Sequence, residues 1–352
     1  MRKITVPVKI GMFVDDGCRN IGVLNWAKLI AHSPETELIL LDAADLCKGK
    51  LAGIDVLLCP GGGSARQLRA MQETGRNAVR QFVFDGGIYL GICAGCYNVL
   101  NNESRLQMLA YDYDLEAVGK TAILSVEVNK RGARVLGVKS GSYLIRYSGG
   151  PIMHETAPLE RGKSEVLAVF KSSVSQYNSA PHDFMDTPAI IYGSYGRGRV
   201  IASSVHPESF EVSHELALGC LYAACKVKAK PVYPLKVSRP LRVGYYGGAI
   251  IGKRCIENML ELDRHPELDV TLVSPTELDS GILHHLDVLV MPHGIEADYR
   301  RQFSSALRKK QIAFFVSRGG KIIASGNGCK CLPKVDGIVK IRAGKSFLPC
   351  FF

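Results

Sequence analysis

Short apolar runs alternate with amphipathic segments through the first part of the chain. The apolar runs have the length of strands buried on both faces, and they lie at 8–14, 37–41, 55–59 and 87–92. Between them, apolar residues recur at helical spacing in 22–32 and 76–85. This alternation predicts an α/β fold, a flavodoxin-like, doubly wound parallel sheet with helices on both faces.

The pattern changes in the following part of the chain. Residues 121–170 carry shorter β-like pieces, which we interpret as antiparallel strands added to the parallel sheet. Residues 189–192 and 199–203 predict a hairpin-like pair. Because the side chains that do chemistry gather at the carboxyl ends of the parallel strands, candidate site residues are expected directly after the apolar runs.

A basic, proline-punctuated stretch at 226–235 predicts a linker between two domains. We therefore divide the chain into a first domain at 1–228, a linker at 229–240 and a second domain at 241–352. Beyond the linker the early pattern returns, and the second domain is predicted to be a shorter, degenerate repeat of the first. The matching pairs are 241–246 with 8–13, 287–294 with 55–62, and 319–329 with 86–96.

Composition and charge narrow the function classes. The net charge of +11 is concentrated in 226–242 and after residue 299. It comes with no zinc-finger spacing or recognition-helix pattern, so a solvated basic face is a better interpretation than nucleic-acid binding. No apolar run reaches the roughly 18 residues of a membrane span. The 11 cysteines are scattered rather than arranged as a disulfide framework, which favours a reducing, cytoplasmic location.

The strongest chemical signal is a cysteine between a predicted strand and a predicted helix, in the sequence Gly-Ile-Cys-Ala-Gly at 91–95. A sharp turn of this kind exposes the side chain of Cys93 above the sheet and aims it at a helix N-terminus, which favours the thiolate. Far downstream, His-Pro-Glu supplies His206 as a base and Glu208 as the carboxylate that orients its ring. These residue types predict nucleophilic attack on a carbonyl carbon.

A glycine loop after the third apolar run adds an electrostatic element. The backbone N–H groups of Gly61 and Gly62, together with that of Ala94, are predicted to form an oxyanion hole. Loss of one such donor typically raises a barrier by about 2.7–4 kcal/mol. Asp15 and Asp16, after the first run, either place a carboxyl near the cysteine or serve as a turn or helix cap.

Together these motifs resemble the class I glutamine amidotransferase-like superfamily, and within it the amino-terminal domain of biotin–protein ligases. The resemblance covers roughly residues 1–225 and rests on 60–62, 91–95, 147–151, 196–200 and 206–208. It implies that Cys93 is the nucleophile, His206 the base and Glu208 its partner, with oxyanion donors at Gly61, Gly62 and Ala94. It also implies a substrate pocket lined by Gly63, Tyr147, Ser148, Gly149 and Gly150.

The expected function is that of a cysteine-dependent hydrolase or amidotransferase-like enzyme acting on a small amide or acyl substrate, without metal or cofactor. A partner protein that accepts ammonia or an acyl group, or a homo-oligomer, is compatible with this function. The alternative is a non-catalytic ligand-binding or regulatory module on the same fold. In the second domain Gly326 takes the place of Cys93, and 241–352 contains no His-Pro-Glu, so that domain is predicted to lack both nucleophile and base.

Overall fold

The structure is a computed structural model that describes residues 6–18, 21–114, 118–157, 163–174, 184–223, 225, 231–249, 252–332 and 337–352. Two compact units are present. The first contains the chain up to Cys18 and Leu29–Pro231, and the second contains Arg19–Lys28 and Val232–Phe352. The predicted boundary between residues 228 and 229 lies outside the described residues, as does the start of the predicted linker.

The strands of the first unit come in chain order from the predicted apolar runs and from the region after them. They are β1 (Val8–Phe13), β2 (Thr36–Leu41), β3 (Val56–Cys59), β4 (Ile88–Ile92), β5 (Tyr111–Tyr113), β6 (Ala122–Val128), β7 (Gly141–Tyr147), β8 (Met153–Glu155), β9 (Ser164–Phe170), β10 (Pro188–Tyr195) and β11 (Gly198–Ser203).

One large sheet carries most of these strands, in the order β2-β1-β3-β4-β11-β10-β9-β6-β7. The strands from β2 to β11 in this order run parallel, whereas β10, β9, β6 and β7 add antiparallel pairs at one side. The predicted α/β fold, a mostly parallel sheet extended by antiparallel strands, is therefore observed. Because β3, β4 and β11 are parallel neighbours, the loops that follow them lie at the same edge of the sheet.

Helices lie between the strands and after β11 in this part of the chain. They are α1 (Ile21–Ala31), α2 (Ala43–Cys47), α3 (Ser64–Phe84), α4 (Ala94–Tyr97), α5 (Lys130–Leu136) and α6 (His214–Tyr222). Most of α1 groups with the second unit, since Arg19–Lys28 belong to it.

Helix α3 differs from the prediction, because it begins at Ser64, directly after the glycine loop, rather than at residue 76. Its first half has few apolar residues, which is why periodicity did not reveal it. Gln72 has φ 55 and interrupts the helical backbone between the two halves. Burial of Gln67, Leu68 and Met71 holds the first half in place despite its polar sequence.

The second unit contains one parallel sheet in the order β13-β12-β14-β15-β16, so its first four strands follow the same order as β2-β1-β3-β4. Its strands are β12 (Leu241–Tyr246), β13 (Leu268–Val273), β14 (Val288–Met291), β15 (Lys321–Ser325) and β16 (Ile338–Ile341). Its helices are α7 (Lys253–Arg264), α8 (Pro275–Asp279), α9 (Glu296–Phe303), α10 (Ala306–Ser317) and α11 (Asn327–Lys330). Among the helices that the structure describes, none is long and apolar enough to cross a bilayer.

Candidate active site

Cys93 occupies a strained elbow between β4 and α4. Its backbone has φ 50 and ψ −98, in the left-handed region that side chains rarely adopt. Glycines flank it because the chain packs tightly here: a β-carbon on Gly91 would overlap the carbonyl of Gly95, and one on Gly95 would overlap that of Cys59. The Cys93 N–H donates to the carbonyl oxygen of Ser203 at 2.7 Å, which ties the elbow to the end of β11.

The His206–Glu208 pair follows β11, the strand beside β4. The His206 N–H donates to the carbonyl oxygen of Arg146 at 2.8 Å, so its backbone position is held by β7. Nδ1 of His206 lies 2.8 Å from Oε1 of Glu208, and both side chains are buried. Because a carboxylate only accepts, Nδ1 carries the proton of this bond and Nε2 is the nitrogen left to interact with other groups.

The environment of His206 favours the imidazolium. Burial is the largest single influence and lowers its pKa, but the charges of Glu208 and of the Cys93 sulfur outweigh it and raise the pKa to about 10. Cys93 also acts on the ring as a hydrogen-bonding group. Nε2 nevertheless makes no hydrogen bond of conventional geometry to a described residue. The cysteine and the imidazole are therefore close enough to interact, without a well-aligned bond, as is common in catalytic sites without substrate.

The glycine loop presents unpaired amides at the same edge of the sheet. Gly62 has φ 143, a backbone conformation that favours glycine. Nε2 of Gln67 donates to the carbonyl oxygen of Pro60 at 2.8 Å, and since the peptide that follows is trans, the Gly61 N–H points the opposite way. Within the described part of the chain, the amides of Gly61, Gly62 and Ala94 donate to no acceptor. Three N–H groups thus remain able to bind an oxyanion.

Some residues of the predicted substrate pocket support the structure instead. The Gly63 N–H donates to the carbonyl oxygen of Gly17 at 2.8 Å and is already used. Tyr147 is fully buried, and its hydroxyl donates to Gly150 O and accepts from the Gly119 N–H, each at 2.9 Å. The hydroxyl of Tyr147 therefore anchors the loop, while its ring lies in the core.

The middle of that loop contacts Cys93. Sγ of Cys93 donates to the carbonyl oxygen of Ser148 at 3.6 Å. The hydroxyl of Tyr97, in the elbow helix, donates to the carbonyl oxygen of Gly149 at 3.3 Å. The structure thus brings Ser148 and Gly149 to the cysteine, which is only 5% exposed beneath them.

A chain of hydrogen bonds that the sequence did not predict connects Arg105 to the glycine loop. Nη1 of Arg105 donates to Oγ of Ser64 at 2.7 Å, and that hydroxyl donates to Oδ1 of Asn98 at 2.7 Å. Nδ2 of Asn98 donates to Oε1 of Gln67 at 2.8 Å, and Gln67 reaches Pro60 O. The only sequence signal was the position of Asn98, just after the elbow helix, since the other members are far apart in the chain.

The remaining candidates have local roles. Asp15 accepts the N–H of Ala43 at 2.9 Å and that of Asp16, so it caps a turn and the start of α2. Burial raises the pKa of Cys96 well above its usual value, and its Sγ lies 3.6 Å from Sδ of Met153. Cys93 and Cys96, which form a Cys-x-x-Cys sequence, are therefore a candidate nucleophile and a core side chain.

A mostly parallel sheet carries a cysteine at a strand–helix elbow, a glycine loop beside it and a histidine–carboxylate pair after the neighbouring strand. This is an α/β fold whose arrangement resembles that of the glutamine amidotransferase-like superfamily.

The family model described as "Biotin-protein ligase, N terminal" matches residues 51–103, which contain the glycine loop and the elbow. A biotin–protein ligase of Schizosaccharomyces pombe is 28% identical over 177 residues, 45% of this chain and 26% of that protein. The predicted resemblance to the amino-terminal domain of biotin–protein ligases is thereby confirmed. The match spans about a quarter of the ligase.

Solved structures similar to this chain include PurLQS from Thermotoga maritima and a glutamine amidotransferase. PurLQS has a TM-score of 0.43 at 16% identity, covering 61% of this chain and 97% of that one. The glutamine amidotransferase has a TM-score of 0.41 at 20% identity, covering 61% of this chain and 98% of that one.

Proposed function

We propose that the first unit is a cysteine-dependent hydrolase or amidotransferase-like enzyme that acts on a small amide or related acyl substrate. The observation that carries the proposal is the convergence at one sheet edge of a strained cysteine, a charged imidazole and unpaired backbone amides. The thiolate is the nucleophilic form of cysteine, and a neighbouring imidazolium stabilises it by charge.

The reaction follows from these positions. The sulfur of Cys93 adds to the amide carbon, and the negative oxygen that forms is stabilised by the free amides of Gly61, Gly62 and Ala94. His206 gives its proton to the nitrogen, the C–N bond breaks, and an amine or ammonia leaves a thioester. Water, or an acceptor amine, then attacks the thioester. Its proton passes to His206, and the thiolate is regenerated.

Glu208 keeps the imidazole in a single orientation and stabilises its charge. Both groups are buried, so an uncompensated imidazolium would be strongly disfavoured. An acceptor amine or a partner that takes up ammonia fits the second step as well as water does. Free glutamine is the simplest amide to test.

The proposal is tested by the reactivity of one thiol among the 11 in the chain. Chloroacetamide labelling followed by peptide mass spectrometry should modify Cys93 faster than any other cysteine, by about tenfold or more. Glutamate release from glutamine, and ammonia release from a panel of small amides, are then measured in parallel.

Two variants separate catalysis from general damage. Cys93→Ser should abolish fast labelling and amide turnover, whereas Cys96→Ser, which changes a buried thiol one helical turn away, should keep both. Slow, indiscriminate labelling of all accessible cysteines, with no amide turned over, would contradict the proposal.

One observation favours the alternative of a ligand-binding or regulatory module. The Cys93 thiol is hydrogen-bonded to Ser148 and nearly buried, so the described conformation has little room for a substrate at the sulfur. In that case calorimetry should show that small amides bind the wild type and Cys93→Ser with equal affinity. No amide should be turned over.

A further inference from the structure

Arg105 is a partly buried cation whose guanidinium contacts neutral groups among the described residues. Its guanidinium lies 5.9 Å from the ring centre of Tyr97 and 5.8 Å from that of Tyr113. Nη1 donates to the Ser64 hydroxyl at 2.7 Å and Nη2 to the Tyr113 hydroxyl at 3.2 Å. The rings of Tyr97 and Tyr113, which together form an aromatic clamp beside the guanidinium, meet edge to face with centres 4.7 Å apart. This contact holds the two rings in place.

The charge of Arg105 is not neutralised by the described protein. No described carboxylate lies within ion-pair distance of it, and its buried Nε has no hydrogen-bond partner there. Other arginines in the same unit do have carboxylates, such as Arg131 with Glu165 at 2.8 Å. A cation removed from water without a counter-charge is unfavourable, so an incoming anion would be stabilised.

The aromatic clamp and Ser64, which accepts a hydrogen bond from Arg105, both adjoin elements of the candidate active site. Ser64 is the residue directly after the glycine loop, and Tyr97 is the last residue of the elbow helix that begins beside Cys93. The Tyr97 hydroxyl contacts Gly149, in the loop that covers the sulfur. Tyr97, Ser64 and Arg105 are each only partly buried, so this part of the site is accessible to a ligand.

From this placement we propose that Arg105, with the hydroxyl of Tyr113, forms a subsite for a carboxylate on the substrate, so the amide cleaved at Cys93 belongs to an acid. This inference rests on the proposed function. The planar guanidinium suits a carboxylate, which can accept two parallel N–H bonds from it in a bidentate pair. The aromatic faces exclude water and strengthen the interaction.

The test compares two alkylating probes that differ only in charge. One is chloroacetamide with a 3-carboxypropyl chain on its nitrogen, and the other carries a 3-carbamoylpropyl chain. In each case the Cys93 sulfur displaces chloride and forms a thioether. In the wild type the carboxylate probe should label Cys93 about tenfold faster than the neutral probe at low concentration, because a hydrogen-bonded ion pair contributes to its binding.

Arg105→Gln should remove this preference, so that the two probes label Cys93 of the variant at rates within about twofold of each other. The matched control is Arg197→Gln, which removes an equal charge from an exposed ion pair with Asp85 and should keep the preference. If Arg105→Gln lowers the thermal midpoint markedly, Arg105→Lys serves instead. It retains the charge without the planar fork and should lose part of the preference.

The outcomes distinguish the two proposals. Equal labelling by both probes in the wild type, or a preference that survives Arg105→Gln, would overturn the carboxylate subsite while leaving the enzyme proposal intact. If neither probe labels Cys93 selectively, the enzyme proposal fails, and calorimetry with glutarate on Cys93→Ser protein decides the subsite. Binding weakened about tenfold by adding Arg105→Gln would support it, and absent or unchanged binding would overturn it.

Discussion

The two units build the same backbone elbow around different residues. After β4 the corner residue is Cys93, with φ 50, and after β15 it is Gly326, with φ 51. In both units a short helix starts at the next residue, although only the first corner carries a cysteine. The strained turn is thus a property of the strand–helix connection and does not require catalytic chemistry.

The packing that supports the two elbows is also alike. A β-carbon on Gly95 would overlap a carbonyl at the end of β3, and one on Gly328 would lie 2.5 Å from the carbonyl oxygen of Met291 at the end of β14. Before the strands, Gly87 packs against the ring of Phe82, and Gly320 packs in the same way against the ring of Phe315. These equivalent contacts support the proposal that the second unit repeats the first.

The difference lies in the groups above the corner. In the first unit the space beside the elbow holds a histidine–carboxylate pair. In the second, His293 from the loop after β14 lies against Gly326, and its Nδ1 is 3.4 Å from the N–H of Asn327. The imidazole fills the room that a side chain at the corner would need. A strand–helix connection can thus keep this strained backbone geometry without a cysteine at the corner.

The largest effect is expected from a substitution of His206, which tests whether only the first unit is reactive. His206→Gln removes the charged ring beside the cysteine and should slow Cys93-dependent labelling or turnover about a thousandfold, or about 4 kcal/mol. His293→Gln, which changes the imidazole beside the second elbow, should leave the rate within about twofold. Stopped-flow or quenched kinetics measure both rates. A comparable loss of rate in the two variants would contradict the claim that only the first unit is reactive.

Substitution of the glycines behind the elbows should cost stability in both units. Gly95→Ala is expected to lower the free energy of unfolding by about 3 kcal/mol and Gly328→Ala by about 2 kcal/mol, because each methyl group meets a backbone carbonyl that has little room to move. Denaturant titration provides the values. Gly53→Ala is the control, since a β-carbon there has open space around it and should change stability by less than about 0.5 kcal/mol.

A thiol introduced at the second corner should be costly and inert. Gly326→Cys places a side chain against His293 at a positive φ and should destabilise the protein by about 2 kcal/mol. Combining it with His293→Gly should recover part of that loss. In either variant the new thiol should react with chloroacetamide at the rate of an ordinary surface cysteine. Reaction as fast as that of Cys93 would show that the elbow alone activates sulfur.

The buried ion pair of the first unit should make stability depend on pH. The pKa of His206 is raised from 6.5 to about 10 in the folded protein, so the folded state binds more protons than the unfolded state between these values. Its stabilising contribution is complete below pH 6.5 and is lost as the pH rises toward 10. The slope should not exceed about 1.4 kcal/mol per pH unit, the limit for one proton.

Glu208→Gln is the control for this pH dependence, because it removes the main charge that raises the pKa of His206. Unfolding curves between pH 6 and 10 should show a steeper decline for the wild type than for the variant. Parallel declines in the two proteins would mean that His206 does not hold an extra proton in the folded state.

The sequence by itself determined the parts of the molecule that are local in the chain. Continuous apolar runs specified β1, β3 and β4, and glycines around Cys93 specified the turn, because these signals depend only on neighbouring residues. The spacing of His206 and Glu208 likewise placed a carboxylate within reach of a ring on the same short segment.

Only the tertiary structure decided which distant residues meet. The neighbouring positions of β4 and β11 brought His206 to Cys93, and Tyr147 proved to be core because its ring packs against residues far away in the chain. Arg105 gained its aromatic clamp from residues on separate elements, a juxtaposition that no periodic pattern records. Side-chain contacts between segments depend on strand order and register, and these are set by the packing of the whole unit rather than by any one segment.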